Sequence, residues 1–240
     1  MTDTIMFDLD GTLLQFSQEE FIGAYFAELS KVFHKLGMDP KASIEAVWVG
    51  TKAMMKGGGD ELNTQRFWQG FAQHLGLNAE RRNVVEAACD SFYQNEFNAV
   101  KAVLRPNDTA KRLVRKMASK GYGLVLATNP LFPLCAVESR LGWAGLESRD
   151  FRLVTHYANS KFCKPNPGYY REIFTRINKT PDCCLMVGNN PAEDMSVGVL
   201  GAQTYLVTDC LENEAGEDIT QYRRGTLKEM EIYLTSLPDI

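Results

Sequence analysis

Thr4-Ile5-Met6-Phe7-Asp8-Leu9-Asp10-Gly11-Thr12 is a short apolar run that breaks, without a spacer, into two carboxylates, a glycine and a threonine. Such a run, followed at once by turn chemistry, reads as a buried strand from Thr4 to Phe7. Asp8 and Asp10 stand two residues apart near the strand end, so both side chains can project to the same side. Carboxylates so placed repel, and the site needs a cation, a shared proton or a division of roles. Gly11 lets the backbone turn sharply and approach a ligand closely. A solvated Asp-Gly turn is the competing reading. The unbroken order of strand, two acids, glycine and threonine favours a functional site.

Outward from this stretch, short β-like runs alternate with amphipathic segments, the pattern of a parallel sheet covered by helices. Strands are expected at Gly123–Ala127, Phe151–Thr155, Cys184–Val187 and Gln203–Val207. A helix is expected over about Asp108 to Lys120, with Asp108 as N-cap and Gly121 as stop signal. Others should open at Pro167 and run to about Ile177, cover about Ala192 to Leu200, and start at Thr226, where Thr226-Leu227-Lys228-Glu229 matches a capping box. From about Leu14 to Val103 the apolar residues recur at helical spacing with no convincing strand: Phe21, Ala24, Tyr25, Leu29; Phe67, Phe71, Leu75; Val84, Val85, Ala88, Phe92. Gly57-Gly58-Gly59 interrupts this interval as a loop, and Pro106 closes it. An all-helical insertion after the first strand of an α/β sheet is a candidate cap, although a few extra helices packed on the sheet would give the same pattern.

In an open α/β sheet, ligands bind at the carboxyl ends of the strands, and polar residues collect at three further expected ends. Thr128-Asn129 follows the second strand, where a hydroxyl and backbone amides can hold a phosphoryl oxygen. Lys164-Pro165-Asn166-Pro167 precedes a helix. Its lysine offers a point charge to an anion, with Lys161 as a competitor. Val187-Gly188-Asn189-Asn190-Pro191-Ala192-Glu193-Asp194 carries oxygen donors suited to a hard cation.

Composition narrows the function classes. The 240 residues can bury a sizeable core, and 45% hydrophobic with 23% charged residues is ordinary for a soluble protein. A net charge of −4 recruits neither nucleic acid nor an anionic membrane. Met1-Thr2-Asp3-Thr4 lacks the basic start of a signal peptide, and no apolar stretch approaches the ~18 residues that span a bilayer. The six cysteines form no CxxC pair and the three histidines are scattered. Reduced structural thiols in a cytoplasmic protein are therefore expected.

The four clusters, in this order, resemble the haloacid dehalogenase superfamily. Asp8-Leu9-Asp10-Gly11-Thr12 is similar to its DxDGT motif, Thr128 to its second motif, Lys164 to its third, and Gly188 through Asp194 to its fourth, GDxxxxD. The resemblance implies a Rossmann-like, doubly wound α/β core (residues 1–14 and 104–240) and a helical C1 cap (residues 15–103). It also implies a phosphatase acting on a small phosphate ester. Asp8 would be the nucleophile forming an aspartyl-phosphate and Asp10 the general acid and base. Thr128, the Asn129 amide and Lys164 would hold the phosphate, and Mg²⁺ would sit on Asp8, the Asp10 carbonyl and a group of the fourth motif. Members that remove halogen generally lack the second aspartate, so Asp10 favours a phosphate ester over a haloacid. One departure is plain: Asn189 stands where the family has the first aspartate of motif four, and Asn189, Asn190, Glu193 and Asp194 all remain candidates for the metal. Two alternatives follow, a phosphomutase that returns the phosphoryl group to a sugar and a phosphate-binding regulatory protein with a weakened metal site. Most of the cap aromatics Phe16, Phe21, Trp48, Phe67 and Trp68 are expected to be cap core, and the Gly57–Gly59 loop either a turn or a specificity loop.

Overall fold

A computed structural model describes residues 1–105 and 107–240, so the closing role expected of Pro106 lies outside the described residues. The first strand is β1 (Thr4–Phe7), and the helical interval follows it: α1 (Gln18–Lys35), α2 (Pro40–Met55), α3 (Asn63–Leu75), α4 (Ala79–Gln94) and a 3₁₀ run over Glu96–Val103. Three of these four α-helices start where a side chain satisfies one of the first amides. Ser17 accepts from Glu20, Asp39 accepts from Lys41 just ahead of Pro40, and Asn78 accepts from Arg81. Phe21, Tyr25, Leu29, Val32 and Phe33 form the buried stripe of α1, spaced at one helical turn. The two crossings between the helices and the rest of the chain meet where the Arg105 amide donates to the Gln15 carbonyl at 2.9 Å.

The remaining elements are α5 (Thr109–Ser119), β2 (Gly123–Leu126), α6 (Leu134–Trp143), β3 (Leu153–Val154), α7 (Pro167–Ile177), β4 (Cys184–Gly188), β5 (Gln203–Val207), β6 (Arg224–Gly225) and α8 (Leu227–Ser236). Six parallel strands form one sheet in the order β3-β2-β1-β4-β5-β6. Strand alternation divides the core. Ile5, Phe7, Leu124, Leu126, Leu185 and Val187 pack with α5, α6 and α8, while Met6, Val125, Ala127, Cys184 and Met186 pack with α7. Each such fully buried side chain contributes roughly 1.5–3 kcal/mol relative to exposure, and burial on both faces makes the sheet doubly wound, as expected. Chain order runs outward from β1 in both directions, so the topological switch lies between β1 and its neighbours. There the register is level: Phe7 pairs with Leu126 on one side and Val187 on the other. Asp8, Thr128 and Gly188 consequently emerge at one rim of the sheet. Among the described residues, no helix is long and apolar enough to cross a membrane.

Three local expectations differ from what is found. The third strand is two residues long, because edge strand β3 is paired on one side only, although the Arg152 and Thr155 amides still reach β2 carbonyls. The segment expected as a helix from Ala192 is a 3₁₀ run over Met195–Leu200. Gly198 and two valines weaken α-helix there, and Gly201 at φ +98° ends it. Asp108 holds the N-cap position of α5 but its side chain makes no cap; Asn107 Oδ1 takes the Thr109 amide instead, at 2.8 Å. Asp108 has φ −89°, ψ −4°, which is not the extended conformation from which an N-cap side chain reaches forward.

Candidate active site

Every site residue expected from the sequence comes to the rim between β1, β2 and β4. Asp8 is nearly buried, and its Oδ1 accepts from Lys164 Nζ at 2.9 Å. Thr12 Oγ1 lies 3.3 Å from Asp8 Oδ2 and 3.1 Å from Asn189 Oδ1. Gly11 turns at φ +74°, and a Cβ there would come within 2.2 Å of Asn189 Nδ2, so the position requires glycine on both counts.

The second loop is set by its own carbonyl. Thr128 O accepts from Thr155 Oγ1 at 2.7 Å and from Tyr169 OH at 2.9 Å. The C=O and N–H of a trans peptide point in opposite directions, so pinning that carbonyl turns the Asn129 N–H the other way. Among the described residues neither that amide nor the Thr128 hydroxyl has a protein partner. The Asn129 side chain braces the neighbouring loops, accepting from the Lys164 amide at 3.2 Å and donating to Glu193 Oε2 at 2.9 Å.

Lys164, 1% exposed, bridges Asp8 and Asp194, with Asp194 Oδ1 at 2.6 Å. Burial opposes its charge, but Asp194 and Asp8 more than offset it and hold its pKa well above the usual lysine value, so the ammonium persists. Lys161 takes no part; its backbone binds Glu172 and Arg66 instead.

In the fourth loop, the second Asp194 oxygen takes the Asn190 amide at 3.0 Å, so protein donors occupy both oxygens. A Cβ on Gly188 would lie 2.1 Å from Asp194 Oδ2, which explains glycine before the loop. Asn189 donates through Nδ2 to the Cys210 carbonyl at 2.7 Å, a bond no carboxylate can make. Asn189→Asp is therefore expected to place a carboxylate oxygen against a carbonyl oxygen and to cost about 1–3 kcal/mol. A thermal melt lower than wild type, with and without Mg²⁺, checks this; a variant of equal or higher stability would show that the amide is dispensable.

Two further residues, Arg140 and Glu212, carry no sequence signal. Arg140 on α6 is fully buried, forms an ion pair with Asp10 Oδ2 and lies 4.4 Å from the Phe132 ring centroid. Glu193 and Glu212 join Asp8, Asp10 and Asp194, placing five carboxyl groups at the strand ends against the two cations Lys164 and Arg140. Burial, with carboxylates as neighbours, pushes Asp10 and Asp194 up to about 6 and Glu193 and Glu212 up to about 7. For Asp10, Arg140 offsets part of that rise. Asp10 Oδ1 is shielded and without a partner.

This donor set fits a hard cation: excess negative charge, carboxylate and amide oxygens, and an Asp10 carbonyl that accepts no hydrogen bond among the described residues. Among those residues, no three His, Cys, Asp or Glu side chains converge on a point suited to a metal.

Over the rim lies one cavity of about 200 Å³, shared between the strand ends and the helices after β1. Of the aromatics named above, Phe21, Trp48, Phe67 and Trp68 line it, whereas Phe16 is buried behind, stacked on Phe21 at 4.8 Å. The glycine loop does not line it: Gly57 abuts Arg66 and Gly59, at φ +90°, abuts Phe162.

Residues 2–199 match the family of haloacid dehalogenase-like hydrolases; β5 and Glu212 lie beyond that match. No curated protein matches the sequence. Similar solved structures include a HAD phosphatase from Thermococcus onnurineus (17% identity, 100% of both chains, TM-score 0.61). Another is L-2-haloacid dehalogenase from Xanthobacter autotrophicus (14%, 99% of this chain and 100% of that one, TM-score 0.57). A third is the HAD-hydrolase YfnB of Bacillus subtilis, bound to magnesium (19%, 97% and 98%, TM-score 0.58). These likenesses concern the fold.

Proposed function

The chain belongs to the haloacid dehalogenase-like hydrolases, and on that footing we propose a Mg²⁺-dependent phosphohydrolase for a small phosphate ester, with Asp8 as nucleophile. The observation that carries this reading is the division of labour between the paired acids. Asp8 is held by Lys164, beside the unpartnered Thr128 hydroxyl and Asn129 amide. Asp10, two residues on, has its pKa pushed up to about 6, where it can both give and take a proton near neutrality.

In this reading an Asp8 oxygen attacks phosphorus and the ester P–O bond breaks, while Asp10 protonates the leaving oxygen. Asp10, now ionised, takes a proton from water as that water attacks phosphorus; the aspartyl-phosphate P–O bond breaks and phosphate departs. Thr128, the Asn129 amide and Lys164 hold the phosphoryl oxygens throughout. When bound, Mg²⁺ neutralises charge between Asp8 and the phosphoryl group. The magnesium-bound relative supports the ion's identity. Asp8, the Asp10 carbonyl and Asn189 Oδ1 would hold it. Asp194, with both oxygens taken by protein donors, serves to position Lys164.

Glu212 supplies the carboxylate that motif four lacks. It lines the same cavity, its amide donates to Asn189 O at 3.1 Å, and among the described residues its carboxylate accepts one hydrogen bond, from Asn190 Nδ2 at 3.4 Å. Glu212→Gln is expected to weaken Mg²⁺ or Mn²⁺ binding about tenfold by isothermal titration, since an amide brings no charge. Unchanged affinity would remove Glu212 from the site.

The weakened-site reading loses its motive, because Asn189 is explained by its bond to Cys210. The helices between residues 15 and 103 serve as the cap, and the Gln15–Arg105 pairing where both crossings meet supports those boundaries. The test is phosphate release from p-nitrophenyl phosphate with and without Mg²⁺. Protein inert with every divalent ion and across a broad ester panel would end this reading.

A further inference from the structure

The cavity's lining is chemically one-sided. Beyond the strand ends it is walled by apolar and aromatic side chains, Phe26, Leu29, Trp48, Phe67 and Phe71 from the cap and Phe132 from the loop after β2. Of its polar groups, Tyr25 and Tyr93 bond each other at 2.7 Å and Thr51 donates to the Val47 carbonyl at 2.9 Å, while the buried Trp68 Nε1 has no partner among the described residues. Among the described residues the lining holds no lysine, arginine or histidine, and its charged groups are all acidic, Asp90 in the cap included. The two nearby cations, Lys164 and Arg140, are already bound to the carboxylates of the phosphoryl end.

We propose that the substrate is a phosphate monoester of an uncharged, apolar alcohol, whose hydrocarbon part occupies this chamber while the phosphate sits at Asp8. The proposal rests on the phosphohydrolase reading and narrows its substrate class. A second phosphate or a carboxylate on the leaving group would enter a chamber with acids and no free cation, where like charges repel. A polyol would bury hydroxyls for which few partners remain, each at a penalty. A hydrocarbon meets neither cost and gains from leaving water. Edge-on ring pairs, Phe67 against Trp68 at 5.1 Å and Phe26 against Trp48 at 5.4 Å, make part of the walls aromatic.

Ethyl, butyl and hexyl phosphate share one leaving-group chemistry, so a chain-length series isolates burial. With the purified protein and Mg²⁺, kcat/KM is expected to rise roughly three- to fourfold per methylene until the chamber is full, giving hexyl phosphate on the order of 100-fold over ethyl. 2-Phosphoglycolate should fall below ethyl phosphate. Thr51→Phe, which fills the chamber from α2, should compress the hexyl-to-ethyl ratio. A flat or falling series, or 2-phosphoglycolate as the best substrate, overturns the proposal. If no ester, p-nitrophenyl phosphate included, is turned over, the phosphohydrolase reading fails and the chamber is judged by binding. Hexylphosphonate should then bind at least tenfold tighter than methylphosphonate or phosphonoacetate by titration calorimetry, and equal affinities overturn the proposal on its own terms.

Discussion

Asp8→Asn should reduce kcat by a factor on the order of 10⁴–10⁶, leaving a folded protein that still binds its substrate. An amide cannot attack phosphorus, and removal of a nucleophile costs rates of this order. The substitution is otherwise mild. Asn keeps an oxygen for Lys164 Nζ, which lies 2.9 Å from Asp8 Oδ1 in the wild type. Its nitrogen can donate to Thr12 Oγ1, which then turns its own hydrogen to Asn189 Oδ1. It also removes one negative charge from a group of five carboxyls served by two cations. The melting temperature should therefore match or exceed that of wild type, a combination that separates a chemical role from a structural one. Two measurements decide it: steady-state phosphate release, and mass spectrometry of quenched wild type for a phosphoryl group on the Asp8 peptide. Residual activity above about one tenth of wild type would show that Asp8 is not the attacking group.

The core of this fold was legible because its information is local. Thr4–Phe7 and Gln203–Val207 are recovered to the residue, and Cys184–Val187 to within one, since apolar runs closed by polar turns leave little choice. The edge strands were less legible: β3 is shorter than the Phe151–Thr155 run expected for it, and β6 was missed. β6 is only Arg224–Gly225, a length at which side-chain pattern carries no period. The same contrast holds at the site. Asp8, Asp10, Thr128, Lys164 and Asp194 each follow a recognisable strand or precede a helix, so topology gathers them. Arg140 reaches Asp10 across 130 positions from within α6, where it looks like any basic residue near a helix C-terminus. Glu212 belongs to a loop that also carries Glu214, Glu217 and Asp218 and reads as a solvated acidic turn. Asn189 marks the limit of reasoning by motif. Compared with a family pattern it is a lost metal ligand; in place it is a donor to Cys210, a partner 21 residues away that no motif includes.

Lys164→Met should carry the largest stability cost among the site substitutions, and that cost should depend on pH. Methionine approximates the lysine stem in volume, while the ammonium that bridges Asp8 and Asp194 and lies 5.9 Å from the Tyr169 ring centroid is lost. Removing one partner from a buried ion pair costs about 3–5 kcal/mol, because the charge left behind is uncompensated. The carboxylate can escape that penalty only by protonation. Burial already raises Asp194 from an ordinary value of 3.8 to about 6, with Lys164 as the main opposing influence. Its loss moves Asp194 higher still. A carboxyl whose folded pKa lies above its unfolded one binds its proton more tightly when folded, so stability falls as pH rises through that interval. The wild type should itself lose some stability between about pH 4 and pH 6, and the variant should lose more and over a wider range. The difference in free energy of unfolding between the two should thus be small near pH 4 and reach its full size by about pH 8. Urea titrations at three pH values in the absence of divalent ions measure it. A deficit equal at all three would mean that lost packing, and not the stranded carboxylates, sets the cost. A deficit that grows with pH while phosphate release is abolished would place both the fold's electrostatic balance and the phosphoryl contact on the same buried ammonium.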